Sequence, residues 1–336
     1  MITRPLGASG IDASAIALGT WVMGGWMWGG ASEEDSIRAV QAAIDEGITL
    51  LDTAPIYGFG HSELVVGRAL KGRRDSVLIA TKCGMVINAP GGRVMGRTTA
   101  SSPHEHGHLE IKIWNHPESI RRECEMSLKR LGTDRIDLYQ THWQEDETPI
   151  EDTMGELMRL REEGKIRAIG VCNASIEQMD RYRASGELVS DQEKYSMVQR
   201  MMEDDGRLSY NIEHDQAVLA YSPLALGLLT GKVRPDDTYP ASDLRSRDKR
   251  FTRENREKVR SLLDAFEPVR EKHGCTTAQL VIAWTIAQEG ITHALVGART
   301  EAQAIDNARA ARIELDDEDL SRMNGLVRSG AGALAL

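Results

Sequence analysis

Short apolar runs suited to buried strands alternate with amphipathic, helix-like stretches through the whole sequence, and no other feature restricts the possible folds as much. The strand-like runs fall at residues 15–19, 49–54, 77–82, 136–142, 166–173, 192–195, 217–223 and 294–298. Helical patterns are expected from Ser32, over 62–70, 117–131 and 150–163, from Ser175, and over 253–273, 276–289 and 301–310. Ser32 followed by Glu33 and Glu34 has the chemistry of a helix start, a hydroxyl cap ahead of acids in the first turn. Eight strands joined by helical crossovers imply parallel pairing with right-handed connections. That predicts an α/β fold, a (β/α)₈ TIM barrel, although a doubly wound sheet satisfies the same alternation. Leu6-Gly7-Ala8-Ser9-Gly10-Ile11 is expected to form a small hairpin ahead of the first barrel strand. No shift of composition divides the chain, so one barrel domain spanning residues 1–336 is expected.

Two connections exceed the usual length of about 2–6 residues, and loops that long in compact domains tend to be functional. They run over roughly 83–116 and 225–252, each after a strand, which in a barrel puts both on the face that carries active sites. The net charge of −10 is spread along the chain, disfavouring nucleic acid or an anionic membrane as the main partner. The opening residues hold no apolar signal core, and no segment reaches the length of a membrane span. Cys83, Cys124, Cys172 and Cys275 are far apart with no C-x-x-C pair, which argues against a disulfide framework or a Cys-rich zinc site. The expected compartment is the reducing cytoplasm; the oligomeric state is not assigned.

Four polar residues stand at or just past the ends of strands two, three and four: Asp52, Tyr57, Lys82 and His142. Singly, each has an ordinary role, such as turn capping for the Asp or a solvated strand flank for the Lys. Together they suit carbonyl reduction. Hydride arriving at a carbonyl carbon leaves negative charge on oxygen, and a proton must reach that oxygen. Tyr57 supplies it if its pKa, about 10 when unperturbed, is lowered. The Lys82 ammonium favours the phenolate, Asp52 keeps the Lys charged and oriented, and His142 donates a hydrogen bond to the carbonyl oxygen.

In the contexts Asp52-Thr53-Ala54-Pro55-Ile56-Tyr57-Gly58, Ala80-Thr81-Lys82 and Gln140-Thr141-His142-Trp143, this set resembles the catalytic tetrad of the aldo-keto reductases. The likeness runs from Leu6-Gly7 and Gly19-Thr20-Trp21 to Gly297-Ala298-Arg299, with the motifs in family order. It implies an NADP(H)-dependent oxidoreductase acting on an aldehyde, ketone or sugar-like substrate. It further implies that Gly19, Thr20, Trp21 and Asp52 contribute to the cofactor site, and that Asn173 and Gln192 hold the nicotinamide carboxamide. Cys172 stands where the family usually has Ser, a weaker hydrogen-bonding group that loosens that clamp. Tyr221 would stack on the nicotinamide, while the segment Ser222, Pro223, Leu224 to Gly227, with Lys232, would hold the pyrophosphate. Gly297 and Arg299 resemble the adenosine-phosphate site, with Gln303 and Asn307 toward the adenine, and the Arg299 guanidinium suits a 2′-phosphate. Trp21 and Trp143, beside motif residues, are the expected substrate-pocket walls, together with Tyr57 and His142.

Gly58-Phe59-Gly60 lacks the third glycine and the setting of a Rossmann fingerprint. His104-Glu105-His106-Gly107-His108 places histidines at alternate positions, but no spaced carboxylate or Cys completes a metal site, so a substrate-side or surface loop is expected. The competing reading is a cofactor-sensing regulatory subunit, since channel-associated members of the same family keep the tetrad. No inactivating extension is expected ahead of the barrel, which favours the enzyme.

Overall fold

The computed structural model describes residues 1–28, 31–101 and 106–331. The eight strands are Ile16–Gly19, Leu50–Asp52, Leu78–Cys83, Ile136–Thr141, Ile166–Cys172, Ser190–Lys194, Ala217–Tyr221 and His293–Gly297, called barrel strands one to eight below. All pair in parallel and in chain order, and the eighth closes on the first through Gly297 opposite Gly19, so the sheet is a closed barrel and not doubly wound. Most of the strands read as largely apolar runs because both faces are covered, by helices outside and by the barrel interior inside; strand six is polar throughout, with Ser190, Asp191, Gln192 and Glu193 buried.

Alternation along each strand then divides the interior into layers. Ala17, Leu50, Ala80, Leu138, Ala168 and Leu219 form an apolar lower layer, packed with Leu6 and Ile11 of the N-terminal ribbon. That ribbon pairs Thr3–Pro5 antiparallel with Asp12–Ser14, the expected hairpin, and closes the lower end. Two residues further along the same strands stand Gly19, Asp52, Lys82, Gln140 and Tyr221. The upper layer is therefore polar by register.

Outside, several helices start on side-chain caps. Ser32 accepts from the Asp35 amide at 3.0 Å ahead of helix Glu33–Asp45, and full capping boxes open helices Ile176–Ser185 and Thr277–Ile286. Among the described residues no helix is long and apolar enough to cross a membrane.

Several elements differ from the sequence expectation. The first long connection is not irregular: Met85–Ile87, Arg93–Ser101 and His106–Ile113 form an antiparallel sheet, with His106–Ile113 in the middle. Leu109 and Ile111 of that sheet are buried against Ala54, Ile56 and Phe59 of the loop after strand two. The second long connection contains short 3₁₀ turns, Leu244–Ser246 among them. The expected single helix over 253–273 is two, Arg253–Asp264 and Glu267–His273, because Pro268 has no N–H to continue the ladder and sits in the first turn of the second. Helices Arg207–Glu213 and Asp317–Ala331 were not anticipated.

Candidate active site

The polar layer places Lys82, fully buried, at the centre of a small network. Its ammonium donates to both Asp52 carboxylate oxygens at 2.8 and 2.7 Å and to the Thr53 carbonyl at 2.9 Å, and it lies 3.4 Å from the Tyr57 hydroxyl. Burial alone would push the Lys82 pKa down, but the adjacent Asp52 carboxylate, with Tyr57, outweighs it and drives the value up, so the group stays charged.

Tyr57 reaches this point from the loop after strand two. The backbone turns beside it at Gly58, whose φ is +63°, and a Cβ there would lie 2.0 Å from the Gly24 carbonyl oxygen. Only glycine fits such an approach. The contact locks the loops after strands one and two together and stacks Trp21 on Tyr57 with ring centroids 6.0 Å apart. The Tyr57 pKa departs from expectation: burial, the dominant cause, pushes it up to about 12, over the opposing pull of Lys82. The phenol is therefore held as a protonated donor, rather than poised toward phenolate. His142 follows strand four and meets the Tyr57 ring edge-on at 5.9 Å. Burial, then the Lys82 charge, drives its pKa well below 6.5, so the imidazole is neutral. Its Nδ1 is buried without a hydrogen-bond partner among the described residues.

Two clefts open onto this network. The first, about 440 Å³, is lined by Gly19, Thr20, Trp21, Asp52, Tyr57, Tyr221, Ser222, Pro223, Leu224, Gly227 and Lys232. Gly297, Arg299, Gln303 and Asn307 continue the same wall. Ser222, Ala225 and Leu226 hold positive φ (+58°, +47° and +60°) without being glycine. Strain of this kind persists only where surroundings impose it, and such turns aim backbone N–H groups into anion-binding concavities. Three cations face the cleft, Lys232, Arg245 and Arg299. Arg299 lies 5.7 Å from the centroid of the Trp28 ring and donates to the Trp28 carbonyl at 3.0 Å, while its own amide donates to Gln303 at 2.8 Å. Burial, and then the neighbouring Arg245, depress its pKa, as expected where like charges crowd together. Tyr239 and Arg245 are not among the residues the sequence points to, and Trp28, one of four tryptophans open to a substrate-pocket role, lines this cleft instead. The available signal was an Asp-x-Arg repeat in the second long connection, Asp243 to Arg245 and Asp248 to Arg250.

The second cleft, about 980 Å³, shares Trp21, Tyr57 and Tyr221 with the first and adds His142, Trp143, Asn173 and Gln192 at its inner end. There Gln192 donates to Asp52 at 2.8 Å, Asn173 donates to the His142 carbonyl at 3.1 Å, and the Tyr221 hydroxyl donates to Asn173 at 2.9 Å. Cys172 lies buried below them and lines neither cleft, its thiol pushed far up by burial. The outer walls, from Trp26, Phe59, Met85 and Met95, come from the loops and the antiparallel sheet. Of the histidine-rich run, His104 and Glu105 lie outside the described residues; His108 is exposed and hydrogen-bonded to Thr99 at 3.2 Å.

Residues 15–328 match the model of the Aldo/keto reductase family. Aldo-keto reductase YhdN of Bacillus subtilis is 38% identical over 326 residues, covering 96% of this chain and 92% of that protein. The NADH-specific methylglyoxal reductase of Escherichia coli is 38% identical over 331 residues, covering 97% and 98%. Among solved structures, the glycerol dehydrogenase of Gluconobacter oxydans superposes with a TM-score of 0.86 at 38% identity, covering 98% of this chain and 95% of that one. A Klebsiella pneumoniae aldo/keto reductase in complex with NADP and acetate gives 0.70 at 28% identity, covering 96% and 94%.

Proposed function

The chain belongs to the aldo/keto reductase family, and on that premise we propose that it interconverts an aldehyde, ketone or sugar carbonyl with its alcohol, using NADP(H). One observation carries the reading: the two clefts meet at Tyr57, with the Lys82 ammonium directly behind its hydroxyl. The first cleft fits an extended, doubly anionic nucleotide, because its strained turn at Ser222 to Gly227 and its three cations are of little use to a neutral ligand. When bound, a nicotinamide nucleotide supplies the hydride that the carbonyl carbon receives. Tyr57, protonated across the neutral range, donates its phenolic proton to the carbonyl oxygen. The charge left on the phenolate is met by Lys82, which Asp52 holds in place. His142, neutral, has one ring N–H to offer the same oxygen and so orients the substrate. The alcohol direction reverses each proton.

The preference for NADP(H) rests on Arg299 as the cation suited to a 2′-phosphate, Arg245 beside it being paired with Asp243. It is a property of these residues rather than of the family, since the Escherichia coli relative is by name NADH-specific. The test is oxidation of NADPH and NADH with a panel of aldehydes, ketones and aldoses, beside Tyr57→Phe. Turnover with NADPH is expected, falling at least about 10²-fold in kcat in the variant. Nucleotide affinity should be retained, because the phosphate contacts lie on other loops. Nucleotide binding without turnover of any carbonyl would instead support the cofactor-sensing subunit.

A further inference from the structure

The charge pattern of the second long connection bears on what the larger cleft takes. Arg245 is engaged by Asp243 at 2.6 Å, and Arg250 is engaged by Asp248. Each pair is made within a tight local turn, with the Asp also accepting the arginine's backbone N–H. Arg247 falls between the pairs. Its side chain has no hydrogen bond or ion pair among the described residues, it is exposed, and it lines the substrate cleft. Both carboxylates nearest to it in sequence are already taken. Arg97, which lines the same cleft from the antiparallel sheet, is satisfied by Glu110 through two hydrogen bonds of 3.1 and 2.8 Å. The Arg247 backbone is fixed as well: the turn it closes is tied to the first loop by the Leu244 amide, which donates to the Met27 carbonyl at 3.1 Å. An uncompensated cation on a fixed turn, lining the same cleft as the reacting hydroxyl, is a preorganised receptor for an anion.

We propose that the carbonyl substrate carries an anionic group, a carboxylate or a phosphate monoester, remote from the carbonyl, and that Arg247 selects for it. The aromatic and methionine walls hold the body of the molecule, the carbonyl lies at Tyr57 and His142, and the anion lies at the rim. This rests on the carbonyl-reductase reading above.

The test compares 4-carboxybenzaldehyde, 4-formylphenyl phosphate and the uncharged methyl 4-formylbenzoate as substrates with saturating NADPH, for the native protein, Arg247→Gln and Arg247→Glu. One charge-assisted contact is worth roughly tenfold to a hundredfold in affinity. A rim position exposed to salt belongs at the low end. Arg247→Gln should therefore lower kcat/KM for an anionic aldehyde about tenfold more than for the ester, through KM, with the gap closing as salt rises. Arg247→Glu should widen it. The anion with the larger dependence on Arg247 is the one recognised. A parallel titration of the nucleotide-saturated protein with 4-(hydroxymethyl)benzoate, read by tryptophan fluorescence, needs no turnover. If all three aldehydes are reduced and respond equally to Arg247, the anion proposal is overturned and the reductase reading stands. If none is reduced while the titration still depends on Arg247, the reverse holds; loss of both responses overturns both.

Discussion

The two clefts that meet at Tyr57 are built on different principles. The proposed nucleotide cleft is made mainly where strands seven and eight end, from short backbone turns with strained residues, and Asp237, Tyr239 and Arg245 of the second long connection complete its wall. The proposed substrate cleft, roughly twice as large, takes its outer walls chiefly from an element remote from the barrel strands, the antiparallel sheet over 85–113. Backbone turns shape much of the first, and those turns tolerate little change. Side chains specify the second, and they can be exchanged while the barrel and the proton donor stay as they are. On the proposed reading, the cofactor site is set mainly by the scaffold and substrate choice mainly by its additions.

The largest expected effect strikes the point the clefts share. Lys82→Met leaves the Asp52 carboxylate buried and unpaired, so a stability loss of about 3–5 kcal/mol is expected by denaturant titration, along with failure of both clefts. A loss under about 1 kcal/mol would show that the pair is not the keystone of the polar layer. Next, Arg299→Ala should weaken NADPH by roughly tenfold to a hundredfold and NADH far less, measured as dissociation constants. Equal losses would remove Arg299 from phosphate recognition and blur the division between the clefts. Met95→Ala, on the outer wall, should raise KM for bulky aldehydes by only about two- to fivefold, from lost apolar contact of roughly 1 kcal/mol or less. A change in NADPH affinity of the same size would break the comparison. The smallest expected effect is none: with Tyr57 raised to about 12 and His142 neutral above 6.5, single-turnover hydride transfer should be flat from there to about pH 9. An inflection near neutrality would mean that one of these two groups titrates in the working range.

The sequence showed the nucleotide side more fully than the substrate side. Asp52 and Lys82 are polar interruptions at the ends of apolar strands, a pattern visible without coordinates, whereas Gln192 stands in the middle of a strand that is polar throughout. The motif residues Tyr221 to Gly227 follow directly on such a strand. The antiparallel sheet was missed although Leu109, Ile111 and Ile113 alternate with Glu110 and Lys112, because the partner segment, Val94-Met95-Gly96-Arg97-Thr98, has no alternation and carries a bulge at Val94 to Gly96. Arg245 and Arg247 sit two apart in one polar stretch yet serve different clefts, which only the course of the loop decides. The direction of the Tyr57 shift was equally hidden: the strand ends brought together by barrel closure suggested the pull of Lys82, whereas the winning effect is burial, which comes from the packed loops around the ring.

The contact between Gly24 and Gly58 sets a boundary for anyone remodelling this enzyme. A Cβ at Gly24 would fall 2.5 Å from the Tyr57 carbonyl carbon, and one at Gly58 would meet the Gly24 carbonyl oxygen, so neither obstacle is a side chain that can swing aside. Randomised libraries that include either position will spend most of their members on displaced proton donors. Libraries that hold the two glycines constant and vary the sheet wall and the turn at Arg247 keep the reaction intact while sampling new substrates.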